Sequence, residues 1–70
     1  MTTRECEKKL LALLDEAYVV FKEFNPDGDH LTMFATENGY CVMGYKPCAD
    51  GKERIVDGYL SPNGCYRFSE

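Results

Sequence analysis

The stretch from Thr3 to Phe24 has the apolar spacing that most constrains how this chain can fold. Placed on a helix at about 100° per residue, its apolar side chains form one stripe, and most of its charged side chains lie elsewhere. The stripe contains Cys6, Leu10, Leu13, Leu14, Ala17, Val20, Phe21 and Phe24. The sequence therefore predicts an amphipathic helix with one buried side.

Polar residues mark both ends of this predicted helix. Thr2 precedes Glu5 by three residues, which allows each side chain to accept a hydrogen bond from the backbone N–H of the other residue. At the other end, Pro26 disfavours helical dihedral angles at Asn25, and a turn-forming Asp-Gly pair follows. We therefore expect the helix to end at Phe24.

Two strand-like runs, residues 31–37 and 40–46, flank the dipeptide Asn38-Gly39. Asn-Gly is typical of a two-residue type I′ turn, which requires positive φ at both positions. The sequence therefore predicts a β-hairpin with a fixed register. The cross-strand pairs that this turn predicts are Thr36 with Cys41, Ala35 with Val42, Phe34 with Met43, Met33 with Gly44, and Thr32 with Tyr45.

Two further turn signals follow the hairpin. Pro47, Asp50 and Gly51 interrupt the apolar pattern, and residues 53–60 then read as a third strand with β-branched residues at its centre. Residues 61–64 form a third turn, and the short run 65–68 suits an edge strand. Turns at this spacing leave little room for helical crossovers. The predicted fold is α+β, a single domain over residues 1–70 with one N-terminal amphipathic helix packed on a four-stranded antiparallel meander.

Side-chain alternation assigns the strand residues to two sheet faces. The face predicted to pack on the helix carries Phe34, Cys41, Met43, Tyr45, Val56, Leu60, Tyr66 and Phe68. The opposite face carries Leu31, Met33, Ala35, Tyr40, Val42, Ile55 and Tyr59, interrupted by Asp57 and Arg67. This second face is too apolar to be freely solvated. A slip of one residue after the second turn would exchange the faces of the third and fourth strands.

Charge and hydropathy exclude several classes of partner. The net charge of −4 argues against nucleic acid, because phosphate binding depends mainly on Lys and Arg. The N-terminus lacks the continuous apolar core of a secretory signal, and no apolar run is long enough to span a bilayer. We therefore expect a cytoplasmic protein without membrane association, in which the four cysteines stay reduced.

Residue types that bind metals or catalyse reactions are present, but their spacing is wrong. The cysteines lack the close pairs of a zinc site. Asn25, Asp27 and Asp29 match the first ligands of a calcium-binding loop, but His30 occupies the position that needs glycine. No orienting group makes this histidine a base for a cysteine nucleophile, and a chain this short can hardly enclose a substrate. We therefore predict no metal, no cofactor and no enzymatic activity.

These inferences favour a small non-catalytic interaction or regulatory protein that acts through the second sheet face. We expect this face to bind a second copy of the chain, giving a homodimer, or a different protein. The residues predicted to form the interface are Leu31, Met33, Tyr40, Val42, Ile55 and Tyr59.

Two alternative functions remain open. Tyr40 and Tyr59 on the open face suit the stacking of bases of a single-stranded nucleic acid. An acidic inhibitor or decoy, by contrast, would occupy the basic groove of a nucleic-acid-processing protein and form a strongly salt-dependent complex. Its carboxylates would be Glu5, Asp15, Glu16, Glu23, Asp27 and Asp29.

Overall fold

The computed structural model describes residues 1–68, which form one helix and four strands. These are α1 (Thr3–Phe24), β1 (His30–Thr36), β2 (Gly39–Cys48), β3 (Gly51–Leu60) and β4 (Tyr66–Phe68). The strands pair in the order β1-β2-β3-β4, and every pair is antiparallel. The predicted α+β fold, with an N-terminal helix packed on a four-stranded meander, is confirmed.

Helix α1 begins with the reciprocal cap that the sequence predicts. The Thr2 hydroxyl oxygen accepts a hydrogen bond from the Glu5 backbone N–H at 3.1 Å, and the Glu5 carboxylate accepts one from the Thr2 backbone N–H at 3.0 Å. These bonds to Thr2 lower the pKa of Glu5. At the other end, the Asn25 N–H donates to the Phe21 carbonyl oxygen at 3.0 Å, which closes the last turn.

The first hairpin forms, but its register differs from the predicted one. Thr36 pairs with Gly39 and Phe34 with Cys41, so the loop residues are 37 and 38. Among the described residues only glycines have positive φ, which rules out a type I′ turn at Asn38. The Thr36 hydroxyl oxygen instead accepts a hydrogen bond from the Asn38 N–H at 3.1 Å. This local bond favours a loop one residue earlier, and the shift keeps together on one face the residues of β1 and β2 that were predicted to share it.

The second turn is tighter than predicted because Pro47 lies within β2. Pro47 pairs with Lys52, and Cys48 pairs with Gly51, so β3 starts two residues before the predicted position 53. Strand β1 pairs with β2 only as far as Tyr45, and β2 therefore has a neighbour on one side alone at Pro47. A proline without an N–H is tolerated at such an edge position.

A β-bulge reverses the predicted faces of β3 and β4 relative to β1 and β2. Before the bulge Tyr45 pairs with Arg54, and after it Gly44 pairs with Val56, so Ile55 is the extra, unpaired residue. One inserted residue moves all later side chains to the other face. The prediction that the apolar side chains of β3 and β4 lie on the other face of the sheet from Met33 and Val42 is therefore wrong. One face of the sheet now carries the apolar side chains of all four strands, namely Leu31, Met33, Ala35, Tyr40, Val42, Val56, Leu60, Tyr66 and Phe68.

The other face, which we call the outer face, mixes polar and aromatic groups. The Arg54 guanidinium donates to the Asp57 carboxylate at 2.9 Å and lies 6.0 Å from the centre of the Tyr45 ring. The hydrogen bond to Asp57 is the main cause that raises the pKa of Arg54. Arg67 lies over the ring of Tyr59 at 4.8 Å. Phe34, Cys41, Met43 and Tyr45 also lie on this face, whereas Phe21 packs on Gly44 of the other face. The prediction that these four residues pack on the helix is therefore wrong.

Candidate functional site

Helix α1 meets the apolar face of the sheet through Phe21. This ring is 4% exposed and is the one large apolar side chain that is buried among the described residues. It lies against two glycines, because a Cβ atom added to Gly28 or to Gly44 would come within 2.5 Å of the ring. The absence of side chains at these two positions therefore creates the space that Phe21 fills.

The connector between α1 and β1 fixes this end of the helix. The Lys22 ammonium donates hydrogen bonds to the carbonyl oxygens of Pro26 and Gly28 at 2.7 and 2.8 Å. The Asp29 N–H donates to the Tyr45 carbonyl oxygen at 3.1 Å, which ties the connector to β2. The Asp29 carboxylate pairs with Lys52, and this hydrogen bond lowers the pKa of Asp29.

Away from Phe21, the helix does not pack closely against the sheet. Between them lies an open apolar groove of about 910 Å³. The helix contributes Leu10, Leu13, Leu14 and Phe24 to its wall, and these side chains are 45% to 65% exposed. We call this space the groove. The sheet contributes to its lining Met33, Tyr40, Val42, Val56, Leu60, Tyr66 and Phe68.

An aromatic pair stands at the β4 side of the groove. The rings of Tyr66 and Phe68 are stacked at a centroid distance of 5.5 Å, and the two residues are 63% and 76% exposed. Aromatic side chains with this much accessible area are favoured anchors of protein interfaces. The groove thus combines an aliphatic helix wall with an aromatic edge on the sheet.

The exposed area of the chain is larger than a folded monomer of its mass should have. The chain exposes 5740 Å², whereas a monomer of 8.0 kDa is expected to expose about 4,450 Å². The excess is about 1,300 Å². The radius of gyration of 13.9 Å likewise exceeds the roughly 11 Å expected for this length. The apolar core is therefore incomplete in the isolated chain.

The six residues predicted to form the interface do not share one face. Leu31, Met33, Tyr40 and Val42 lie on the apolar face, beside the helix. Tyr59 pairs with Cys41 and lies on the outer face, so its predicted grouping with the other five is wrong. The remaining residue, Ile55, is at the bulge and contributes to the lining of the groove. That these residues bind a protein stays a prediction.

The placement of the tyrosines changes the argument for nucleic-acid binding. Tyr40 pairs with Leu60 on the apolar face, whereas Tyr59 lies on the outer face with its ring under Arg67. The two rings therefore form no shared stacking surface, which was the basis of that alternative. The acidic alternative also loses part of its basis, because Glu5 caps α1 and Asp29 pairs with Lys52.

The residue types considered for metal binding are dispersed. Within residues 1–68, no group of three or more His, Cys, Asp or Glu side chains is placed to hold a metal ion. The Asn25 side chain accepts a hydrogen bond from the Asp27 N–H at 3.0 Å, so it belongs to a turn. Cys6, Cys48 and Cys65 are exposed, and Cys41 is half-buried.

Sequence reasoning missed the wall and the aromatic edge of the groove. It placed Leu10, Leu13 and Leu14 in a buried stripe, and it placed Tyr66 and Phe68 on the face that α1 covers. The structure puts them on that face but leaves them exposed. One signal for the true arrangement was Gly44, since a glycine inside a strand often marks a bulge or a close approach of another element.

No protein-family model, no curated protein and no solved structure matches this chain. No helix among the described residues combines the length and the apolar character needed to cross a membrane. The groove is therefore interpreted from its own geometry.

Proposed function

We propose that this chain is a small non-catalytic protein-interaction module of the cytoplasm that self-associates through the groove as a homodimer. The observation that carries the proposal is the excess exposed area of about 1,300 Å². Obligate homodimers bury roughly 1,000–2,500 Å² on each chain, so one equivalent partner accounts for the excess. Leu10, Leu13, Tyr66 and Phe68, which line the groove, are 55% to 76% exposed, and large contiguous apolar patches are rare on soluble monomers.

The chain itself supplies the two surfaces that such a complex needs. It presents an apolar groove, and it presents the exposed apolar wall of α1, including Leu10 and Leu13. In a dimer with twofold symmetry the same patch serves both partners, so each chain covers the other. A second copy would therefore cover both apolar surfaces at once.

Two lysine substitutions on α1 form a matched test of this proposal. Leu13 lies in the groove wall and is 61% exposed, whereas Val19 lies on the opposite side of the helix and is 53% exposed. A lysine in the groove would bury an unpaired charge, which costs about 2–3 kcal/mol or more. Leu13→Lys should therefore weaken self-association by at least about 30-fold. Val19→Lys should leave self-association unchanged.

The masses of the parent and of both variants, measured by sedimentation velocity with reductant present, decide between the outcomes. The proposal requires a dimeric parent, a monomeric Leu13→Lys variant and a dimeric Val19→Lys variant. If both lysine variants have the mass of the parent, the groove does not mediate association. Circular dichroism checks that both variants keep the helical signal of the parent.

A further inference from the structure

The exposed apolar residues of α1 are spaced as in a two-helix seam. From Cys6 to Phe24 the separations alternate strictly between four and three residues, which is the repeat that lets one helix pack along another. The seam consists of Cys6, Leu10, Leu13, Ala17, Val20 and Phe24. Leu10, Leu13, Val20 and Phe24 are 55% to 65% exposed, although they are apolar.

The seam does not point directly at the sheet. Phe21 is the residue that packs on Gly44, and the centre of the seam lies about 60° round the helix from Phe21 at 100° per residue. A helix packed along the seam would therefore lie beside α1, above the apolar face of the sheet. That position is the groove, whose wall includes Leu10, Leu13 and Phe24.

The attachment of the sheet favours an antiparallel partner helix. The connector fixes the sheet at the C-terminal end of α1, where Phe21 is buried. Two parallel copies would bring both sheets to the same end, whereas antiparallel copies place them at opposite ends. Antiparallel packing also opposes the two helix dipoles, which is favourable.

Lys9 and Glu23 support the same orientation, whereas the like charges of the two Glu16 copies meet near the twofold axis. In the antiparallel register that overlaps the whole seam, Leu10 packs on Val20 of the second copy, and Lys9 lies beside Glu23 of the second copy. Symmetry produces this ion pair twice. Within residues 1–68, neither Lys9 nor Glu23 takes part in an ion pair of its own chain. In a parallel pairing, Lys9 would instead face Leu14.

We propose that the two copies associate by inserting each α1 helix into the groove of the other, with the helices antiparallel and Cys6 opposite Phe24 of the second copy. This inference rests on the proposed function and specifies its geometry. A seam of fewer than three heptads is too short to hold two helices by itself. The sheet floor, with Leu60 and Phe68, supplies the remaining contact area.

A cross-linking experiment tests the orientation. The protein used is the full chain with Cys41, Cys48 and Cys65 replaced by serine, which leaves Cys6, and it carries the further substitution Phe24→Cys. In the antiparallel dimer, position 6 of each chain lies opposite position 24 of the other. The two Cys6 thiols are then separated by 18 residues of helix, about 27 Å along the axis, beyond the reach of a disulfide.

Mild oxidation followed by peptide mass spectrometry distinguishes the outcomes. Linkage between Cys6 and position 24 of the other chain supports the proposal. Linkage between the two Cys6 thiols would overturn it in favour of a parallel pairing, and the proposed homodimer would still stand. A dimer that links in neither way would place the contact elsewhere. A monomer before oxidation in the serine variant that keeps Phe24 would overturn the homodimer itself.

A charge exchange tests the same geometry without a new thiol. Lys9→Glu and Glu23→Lys each replace two attractive contacts by two repulsive ones, so each should weaken self-association on the order of tenfold at low salt. The double variant restores opposite charges and should recover the affinity of the parent. If the effects of the two substitutions simply add, Lys9 and Glu23 are not neighbours and the antiparallel register is wrong. Asp15→Lys is the control for the change in charge, because Asp15 lies on the outer side of the helix. Glu16→Lys would not serve, because Glu16 lies near the twofold axis.

Discussion

The two halves of α1 carry the same apolar stripe but have different surroundings. In the C-terminal half, Phe21 is 4% exposed because Gly28 and Gly44 leave room for its ring. In the N-terminal half, Leu10 and Leu13 are 55% and 61% exposed above the groove. The pattern that marks a helix face for burial therefore does not say which chain will bury it. Phe21 is buried within the chain, whereas Val20 and Phe24 of the same half are 64% and 65% exposed. We propose that a second copy covers these two residues and the N-terminal half.

Removing the Phe21 ring should destabilise the packing of α1 on the sheet more than any other substitution considered. Phe21→Ala leaves a cavity between α1 and the sheet, and loss of a buried phenylalanine costs about 3–5 kcal/mol. We expect the free energy of unfolding to fall by this amount, measured by urea denaturation followed by circular dichroism. Val19→Ala, on the exposed side of the same helix, is the control and should change it by less than about 1 kcal/mol. Equal effects of the two substitutions would mean that Phe21 does not anchor the helix.

Filling the space beneath Phe21 should also destabilise the chain, but by less. A Cβ atom at Gly44 would lie 2.5 Å from the ring, and overpacking of this kind costs about 1–3 kcal/mol. Gly58→Ala is the control, because its Cβ atom would meet Val42 at 3.2 Å and the contact can relax. We expect Gly44→Ala to lower the midpoint of urea denaturation more than Gly58→Ala does. Combining Gly44→Ala with Phe21→Leu should recover part of the loss, since the smaller side chain relieves the clash.

The smallest predicted effect concerns the N-terminal cap of α1. Thr2→Ala removes the bond to the Glu5 N–H, and loss of such a cap costs about 1 kcal/mol. The hydrogen bond from the Thr2 backbone N–H lowers the pKa of the Glu5 carboxylate in the folded chain from its usual value of 4.5, so this carboxylate contributes its full stability above pH 4.5. The contribution is lost as the pH falls through the lower folded pKa.

Thermal denaturation of the parent and of Glu5→Gln between pH 7 and pH 3 measures this contribution, because Thr2→Ala keeps the backbone N–H that donates to the carboxylate. The difference between the two melting temperatures should shrink at the acid end. Asp29, whose pKa Lys52 also lowers, affects both proteins equally and cancels in the comparison. A difference that stays constant down to pH 3 would show that the Glu5 carboxylate does not contribute to the cap.

Local signals in the sequence were sufficient for the elements of the fold. The capping pair Thr2 and Glu5, the break at Pro26, and the turn residues around Gly51 act within a few residues, so the helix bounds and the order of the strands follow from them. Two local inferences were wrong. The Thr36 hydroxyl shifted the first hairpin loop, and Pro47 was accommodated in β2 because β1 ends opposite Tyr45.

The candidate site could not be predicted from the same signals. One bulge, with Ile55 as its extra residue, brought Val56, Leu60, Tyr66 and Phe68 onto the same face as Met33 and Val42. The bulge lies next to Gly44, on which the distant Phe21 packs, and no turn residue marks it in the sequence. The sequence thus predicted that the chain has more apolar surface than one helix covers, but it placed that surface on the wrong side of the sheet.

The mass of the native protein in solution tests the central claim most directly. Sedimentation equilibrium over a range of concentrations, with reductant present to prevent cross-linking of the exposed Cys6, Cys48 and Cys65, measures that mass without a label. The account predicts a species of twice the 8.0 kDa of the chain, dissociating only on dilution. A monomer at all concentrations, with the helical signal intact, would contradict it.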